Sequence, residues 1–434
     1  MEPEKVSEDV RPENLSVRRA LTALATLGVV VFAVLTIAIV ATGDFAFELG
    51  GMRFKSNSLD PLLKGLASFA AIRLALATSV ANAALMAFGV VAGLGLIELM
   101  LRIVPVPLAD PSLVEIHRPS TRYGYELVPG AKGFGTAGEW IEIGPGGYRD
   151  HGTLPLGVGP RIVVLGDSFT FGMGVDVENG YVAQLEVLLR QWCGDVRVVN
   201  LGVIAYDFWH YLELLDDRVP ELEPDLVVIG MFIDDILHPE KPAKVHPKRV
   251  FEDAEVDEYS RWRLINVYRN LVVWLEARYR SQRGAEYLRS IEERREWIGP
   301  DEPVHDYYRV QTGSLGEDIY AGFTRSVERL SGWSKTHHTP VLLVLIPDST
   351  QLGLPERQVV NRQVEQEFAR VSIPYVDLTP RFEDVPDPRT LFLFPIDAHT
   401  NAAGHALIAE AIATNPLVLD ITNSSCPEHE KPFL

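Results

Sequence analysis

Three side chains in this sequence have the types and spacing for nucleophilic catalysis. The stretch Val163-Val164-Leu165-Gly166-Asp167-Ser168-Phe169-Thr170 carries an apolar run into Gly-Asp-Ser, with Gly172 and Gly174 just beyond. A serine on a sharp strand-to-helix turn exposes its Oγ at the top of a sheet, and its own N–H can face a developing oxyanion. A hydroxyl nucleophile needs a base, and the base needs a carboxylate to orient it. Near the other end, Phe394-Pro395-Ile396-Asp397-Ala398-His399-Thr400-Asn401 supplies both. Residues two apart in an extended loop point the same way, so Asp397 and His399 can face one site. His399 would take the Ser168 proton and return it to the leaving group, while Asp397 would hold the imidazole and stabilise its charged form. The competing reading makes Asp167 and Ser168 capping or turn residues. His405, on the following helix, reads as structural.

The elements that must position these residues begin at Arg161. Short β-rich runs (Arg161–Leu165, Val196–Asn200, Leu226–Gly230, Val341–Ile346, Tyr375–Leu378) alternate with helical stretches at Tyr181–Gln191, Phe208–Asp217, Asp318–Lys335 and Arg357–Val371. Three of the runs are nearly continuous apolar stretches, as parallel strands buried on both faces must be. The β-α-β-α order predicts an α/β domain with a doubly wound parallel sheet, whose ligands bind outside the carboxyl ends of the strands. An insertion at 240–312 holds many Arg and Glu with Trp262, Tyr268, Trp274, Tyr279 and Trp297. It reads as a helical flap with its aromatics packed on the sheet domain; a lid or a membrane-touching surface is the functional alternative. Residues 105–160 are rich in Pro and Gly and read as a linker and irregular lead-in.

The two end motifs together resemble the SGNH/GDSL hydrolase superfamily. Its first block is matched by Gly166, Asp167, Ser168 and Phe169, its last by Asp397, His399, Asn401 and Gly404. The resemblance covers residues 161–415 and implies a flavodoxin-like sheet of SGNH type, with Ser168, His399 and Asp397 as catalytic residues. It also implies an oxyanion hole built from the Ser168 N–H and two middle blocks, and both middle blocks depart from the pattern. Where the family supplies a glycine N–H, this chain aligns Ala205, with Gly202 as the alternative. A backbone donor survives Gly→Ala where φ is negative. Where the family supplies an Asn amide, this chain has Asp234, and an ionised carboxylate has no hydrogen to donate. The last block is also one residue short between Asp and His. Asp234, Asp235 and His238 invite a metal reading, but no further ligands with metal spacing lie nearby, and no cofactor is implied.

The first 104 residues read as a membrane region. Leu21–Thr42 and Leu74–Ile97 are uncharged runs of 22 and 24 residues, each long enough to span a hydrocarbon core of about 30 Å. A signal peptide is the rival for the first. Residues 61–73, with Lys64 and Arg73, read as an interfacial lead-in, and Glu98 and Arg102 as an i,i+4 pair. Gly89 and Gly93 match a weak helix-association pattern. Multi-pass insertion in a bacterial inner membrane is expected. The Lys/Arg distribution leans to both termini in the cytoplasm, whereas tethered relatives imply the outside, so the side stays open. Residues 416–434 read as a C-terminal tail. The net charge of −19 argues against nucleic acid as partner. Two cysteines, Cys193 and Cys426, exclude a disulfide-dense scaffold. The expected function is a membrane-anchored serine hydrolase acting on an acylated lipid, carbohydrate or small molecule. An O-acyltransferase acting on a glycan and a catalytically impaired scaffold are the alternatives.

Overall fold

Apolar character sets the first element: Pro12–Thr42 forms helix α1, and its window Val17–Ile37 is apolar and almost wholly exposed. The computed structural model describes residues 12–104, 116–149, 159–241, 262–272, 316–393 and 398–425, apart from breaks at 43–44, 50–51, 57–59, 78, 136–138, 269–270, 350, 354 and 356–357. The chain divides into two units, Met1–Ala109 with Trp262–Gly284 and Asp110–Arg261 with Ala285–Leu434.

In the first unit, α1 leads through the hairpin β1 (Phe45–Leu49) and β2 (Met52–Ser56) into α2 (Asp60–Ala77) and α3 (Val80–Ile103). Helix α2 runs back along α1, where residues 61–73 were expected as an interfacial lead-in. The two helices approach closely because each offers a glycine to the other's phenylalanine. A Cβ on Gly28 would collide with the Phe69 ring, and one on Gly65 with Phe32, and the two rings lie 5.5 Å apart. Arg73 Nε donates to Thr26 Oγ1 at 2.9 Å.

The run 74–97 is not one helix. Helix α2 ends at Ala77, and Ser79 caps α3 by accepting from the Asn82 N–H. A serine hydroxyl offers the backbone a local partner, which favours a helix start at this point. Among the described residues, α1 is the one straight helix long and apolar enough to cross a bilayer, and an N-terminal signal sequence passes the same test. The expected multi-pass topology is therefore not supported. Glu98 pairs with Arg102 at 2.8 Å and accepts from the N–H groups of Arg263 and Leu264, capping the helical segment 263–268. Val272 packs with Leu62 and Tyr268. Residues 262–272 of the insertion thus belong with the N-terminal helices, where its aromatics were expected on the sheet. Trp274, Tyr279 and Trp297 lie outside the described residues.

The second unit opens with two antiparallel hairpins, β3 (His117–Ser120) with β4 (Gly124–Leu127) and β5 (Lys132–Phe134) with β6 (Trp140–Glu142). Residues 117–142 thus carry strands within the stretch 105–160 that was expected to be a linker and irregular lead-in. Ile116, Tyr123, Tyr125, Leu127, Ile141 and Ile143 are buried members of the main core. Short strands separated by Pro and Gly carry too little periodicity to be recognised as strands.

The sheet itself follows the sequence closely. Strands β7 (Arg161–Gly166), β8 (Arg197–Asn200), β9 (Leu226–Phe232), β10 (Val341–Ile346) and β11 (Tyr375–Asp377) pair in the order β11-β10-β9-β7-β8, all parallel. In order along the sequence this is 2-1-3-4-5, the flavodoxin-like doubly wound topology, with its switch point beside the first strand. Every residue of β9 and β10 is buried. Helix α5 (Tyr181–Trp192) packs with α10 (Ala402–Ala413). Helix α6 (Phe208–Asp217) meets α7 (Glu317–His337) and α8 (Val359–Arg370) through the rings of Phe208, Phe323 and Phe368. Between α8 and α10, α9 is the single turn Thr379–Glu383. The expected tail also begins as structure, since Pro416–Ser425 is helix α11 with Val418 fully buried.

Candidate active site

Strand β7 ends at Gly166 and the chain turns at once into the four-residue helix α4 (Ser168–Phe171). Glycine is required at 166 because a Cβ would run into Thr170 and the Gly230 carbonyl of the neighbouring strand. Asp167 is the N-cap of α4 and accepts from the Phe169 N–H at 2.9 Å. Its Oδ2 also takes the Ser168 hydroxyl at 3.2 Å. The capping reading is therefore correct as far as it goes, but this cap also touches the candidate nucleophile. Burial pushes the Asp167 carboxyl up to about 6, opposed by the charge of His399 and by hydrogen bonds from Phe169 and Ser168.

His399 Nε2 lies 2.7 Å from Ser168 Oγ, bringing together two residues 231 positions apart. Its ring packs on Phe169, centroids 4.7 Å apart, and Phe169 stacks on Phe232 at 4.4 Å. The aromatic pair forms an apolar wall that limits the imidazole's swing. The loop behind is pinned by Asn401, which caps α10 with its side-chain oxygen and donates to the Thr390 and Phe392 carbonyls with its amide. His405 is fully buried. Its Nδ1 accepts from the Tyr181 N–H at 3.2 Å, and its Nε2–H donates to Thr400 Oγ1 at 3.3 Å. Burial, with the charges of Arg149 and His399, drives its pKa down to about 3 and keeps it neutral. Asp397 lies outside the described residues.

The second block forms a turn beside the nucleophile. Gly202 N–H is engaged by Asn200 Oδ1 at 2.9 Å, and its Cα packs against the backbone of Thr170 and Phe171. Val203 N–H donates to Gly166 O at 3.1 Å, which ties the turn to the end of β7. Ala205 is exposed at the tip with φ +57°. The negative φ under which alanine replaces glycine without strain is not what this position has. A left-handed backbone disfavours any residue with a Cβ.

The third block follows β9 as the 3-10 turn Ile233–Leu237. Asp234 is half-buried there, and oxygens of Asp167, Asp234 and Asp235 lie within 4.8 Å of one another. Asp235 is buried and accepts from Tyr211 Oη and the Phe232 N–H, both at 2.8 Å. Burial, with Asp167 and Asp234 beside it, holds the Asp235 carboxyl well above the usual range. These three carboxylates are the described groups that could offer oxygens to a cation. His238, the third member of the sequence's metal candidate, instead turns to Asp207, Nδ1 to Oδ1 at 3.5 Å.

Arg149 escaped the sequence reading inside a run of turn residues. It is buried, and its guanidinium donates to the carbonyls of Phe171 (2.9 Å) and Gly172 (2.5 Å) at the end of α4 and of Val175 (2.7 Å) just beyond. Burial lowers its pKa to about 10, so it remains a cation at neutral pH. Only its charge could have singled it out.

A profile of the GDSL-like lipase/acylhydrolase family matches residues 164–407, more than half of the 434-residue chain. The chain belongs to the GDSL-like lipase/acylhydrolase family. It is an ester-hydrolysing enzyme. Among solved structures, this GDSL-like hydrolase is similar to the lipase/acylhydrolase from Enterococcus faecalis, at 15% identity over 62% of this chain and 99% of that one, with a TM-score of 0.35. It is also similar to TesA (16%, 59% and 99%, TM-score 0.35). A third is Axe2, an acetylxylan esterase from Geobacillus stearothermophilus (16%, 62% and 96%, TM-score 0.34). No curated protein matches the GDSL-like chain.

Proposed function

We propose that Ser168 is the nucleophile of this esterase, His399 its general base and acid, and Asp397 the carboxylate that orients His399. The observation that carries the reading is the 2.7 Å contact between His399 Nε2 and Ser168 Oγ. Ser168 Oγ attacks the acyl carbon as its proton moves to His399 Nε2. Collapse of the tetrahedral intermediate expels the alcohol, which takes that proton. Water then cleaves the acyl-enzyme by the same route in reverse. The oxyanion is held by the N–H groups of Ser168 and Ala205. Asp167 competes for the first of these, and the carboxylate of Asp234 replaces the amide donor of the third block, which raises the share carried by Ala205. The substrate is an acyl ester on a lipid, carbohydrate or small molecule, and α1 tethers the enzyme to the membrane.

Labelling with a fluorophosphonate probe tests the nucleophile. Wild-type protein labels, Ser168→Ala does not, and His399→Ala labels at least 100-fold more slowly, in keeping with the roughly 10⁴-fold or greater losses seen when a triad member is removed. Equal labelling of wild type and Ser168→Ala would sink the assignment.

A further inference from the structure

Residues 203–206 form a tight turn in which the Tyr206 N–H donates to the Val203 carbonyl at 3.1 Å. Ala205 is its third residue, and its positive φ after a residue without one is the sign pattern of a type II turn, which favours glycine there. Flipping the central peptide, between Ile204 and Ala205, converts such a turn to type I and brings the third residue to negative φ. For alanine that flip relieves strain. It also turns the Ala205 N–H through roughly half a circle, away from where it pointed.

The central peptide is gripped from one side. Tyr125 Oη donates to the Ile204 carbonyl at 2.6 Å. Tyr125 is fully buried on β4, and burial, with Asp207 and Asp167 near it, raises its pKa far above neutral, so the phenol remains a donor. The grip is reciprocal: Tyr206 Oη donates to the Tyr125 carbonyl at 2.7 Å, and the two rings meet edge to face at 5.4 Å. Tyr206 in turn stacks on His210, whose Nε2 meets the Tyr123 carbonyl at 3.1 Å. In a trans peptide the C=O and N–H point in opposite directions. Holding the Ile204 oxygen against β4 therefore directs the Ala205 N–H to the opposite side of the turn. A carbonyl that accepts a hydrogen bond also polarises its own peptide and strengthens the N–H as a donor.

We propose that Tyr125 is a positioning residue of the oxyanion hole, whose phenol holds the Ile204–Ala205 peptide in the orientation that aims the Ala205 N–H at the oxyanion. The inference rests on the reading of Ser168 as nucleophile and Ala205 as oxyanion donor. It assigns a role to the hairpin that precedes residues 164–407: this segment supplies the grip that lets an alanine stand in a left-handed turn. Tyr125 touches no reacting atom and acts through the backbone of another element.

The test is a double-mutant cycle on the full chain with an aryl ester substrate and a boronic acid that mimics the tetrahedral intermediate. Tyr125→Phe keeps the ring and removes the donor. It lowers kcat by about 100-fold, in the range of losing one oxyanion donor, with KM within about twofold, and it weakens the boronate by a similar factor. In the Ala205→Gly background, where the left-handed turn carries no strain, the same substitution costs less than about tenfold. Tyr206→Phe loosens the clamp without freeing the Ile204 carbonyl and lowers kcat less than about threefold, whatever it does to the melting temperature. The proposal falls if Tyr125→Phe costs less than threefold. It also falls if the cost is the same in both backgrounds, or if Tyr206→Phe costs as much as Tyr125→Phe. If Tyr125→Phe fails to fold, the double variant with Ala205→Gly is compared with Ala205→Gly alone, and a loss above tenfold there also overturns it. Fluorophosphonate labelling of Ser168→Ala separates failure of this inference from failure of the nucleophile assignment.

Discussion

Asp167 stands between the candidate nucleophile and the acid pair behind it, and its ionisation is the residue-scale property with the clearest kinetic consequence. As an anion it stabilises the imidazolium that forms on His399 in the transition state. As an acid it does not. With its pKa at about 6, it is charged at pH 8 and largely neutral at pH 5. Asp167→Asn is expected to lower kcat/KM by about tenfold at pH 8, the order of effect of one nearby unit charge. The deficit should shrink as pH falls through 6, because the wild type then loses the same charge. Removal of an anionic neighbour also disfavours the imidazolium, so the variant's acid limb moves to lower pH. Parallel pH–rate profiles with a constant ratio from pH 5 to 8 would leave Asp167 as a cap and nothing more.

At the scale of elements, α4 is too short to satisfy all its own carbonyls, and Arg149 takes that of Phe171, with those of Gly172 and Val175 just beyond, from another part of the chain. Arg149→Met keeps the apolar stem against Phe171 but leaves those carbonyls without their cationic donor. We expect a loss of about 3 kcal/mol in urea unfolding, typical of removing a buried charged donor, with a lower kcat because Ser168 starts that helix. A loss under about 1 kcal/mol would show that water replaces the guanidinium. Arg149 and Tyr125 also show where sequence reading stops. Strands β7, β9 and β10 were legible because burial on both faces writes an unbroken apolar run, and Ser168 and His399 because their motifs are local. A hydrogen bond from Tyr125 to Ile204 spans 79 positions and leaves no periodic trace. Nor does a sequence print φ: Ala205 looked like a mild replacement for glycine until its left-handed backbone was seen. The break at Ser79 was a capping signal hidden inside an uncharged run.

At the scale of the whole molecule, Cys193 bears on the compartment in which the acidic hydrolase unit folds. Cys193 is buried and disulfide-bonded, and the chain has one other cysteine, Cys426, outside the described residues. Disulfides persist in oxidising compartments and are rare where cellular thiols keep cysteines reduced. A bond at Cys193 predicts that the hydrolase unit folds in an oxidising compartment. The full chain, extracted without reductant and unfolded in guanidinium, should take up no maleimide-polyethylene glycol. After reduction it should take up two, and Cys193→Ser should take up one without reduction. Loss of a native disulfide typically costs about 2–5 kcal/mol, so that variant should also melt at lower temperature. Two adducts on the unreduced wild type would mean that the bond does not form in the cell, and the placement in an oxidising compartment would fail with it.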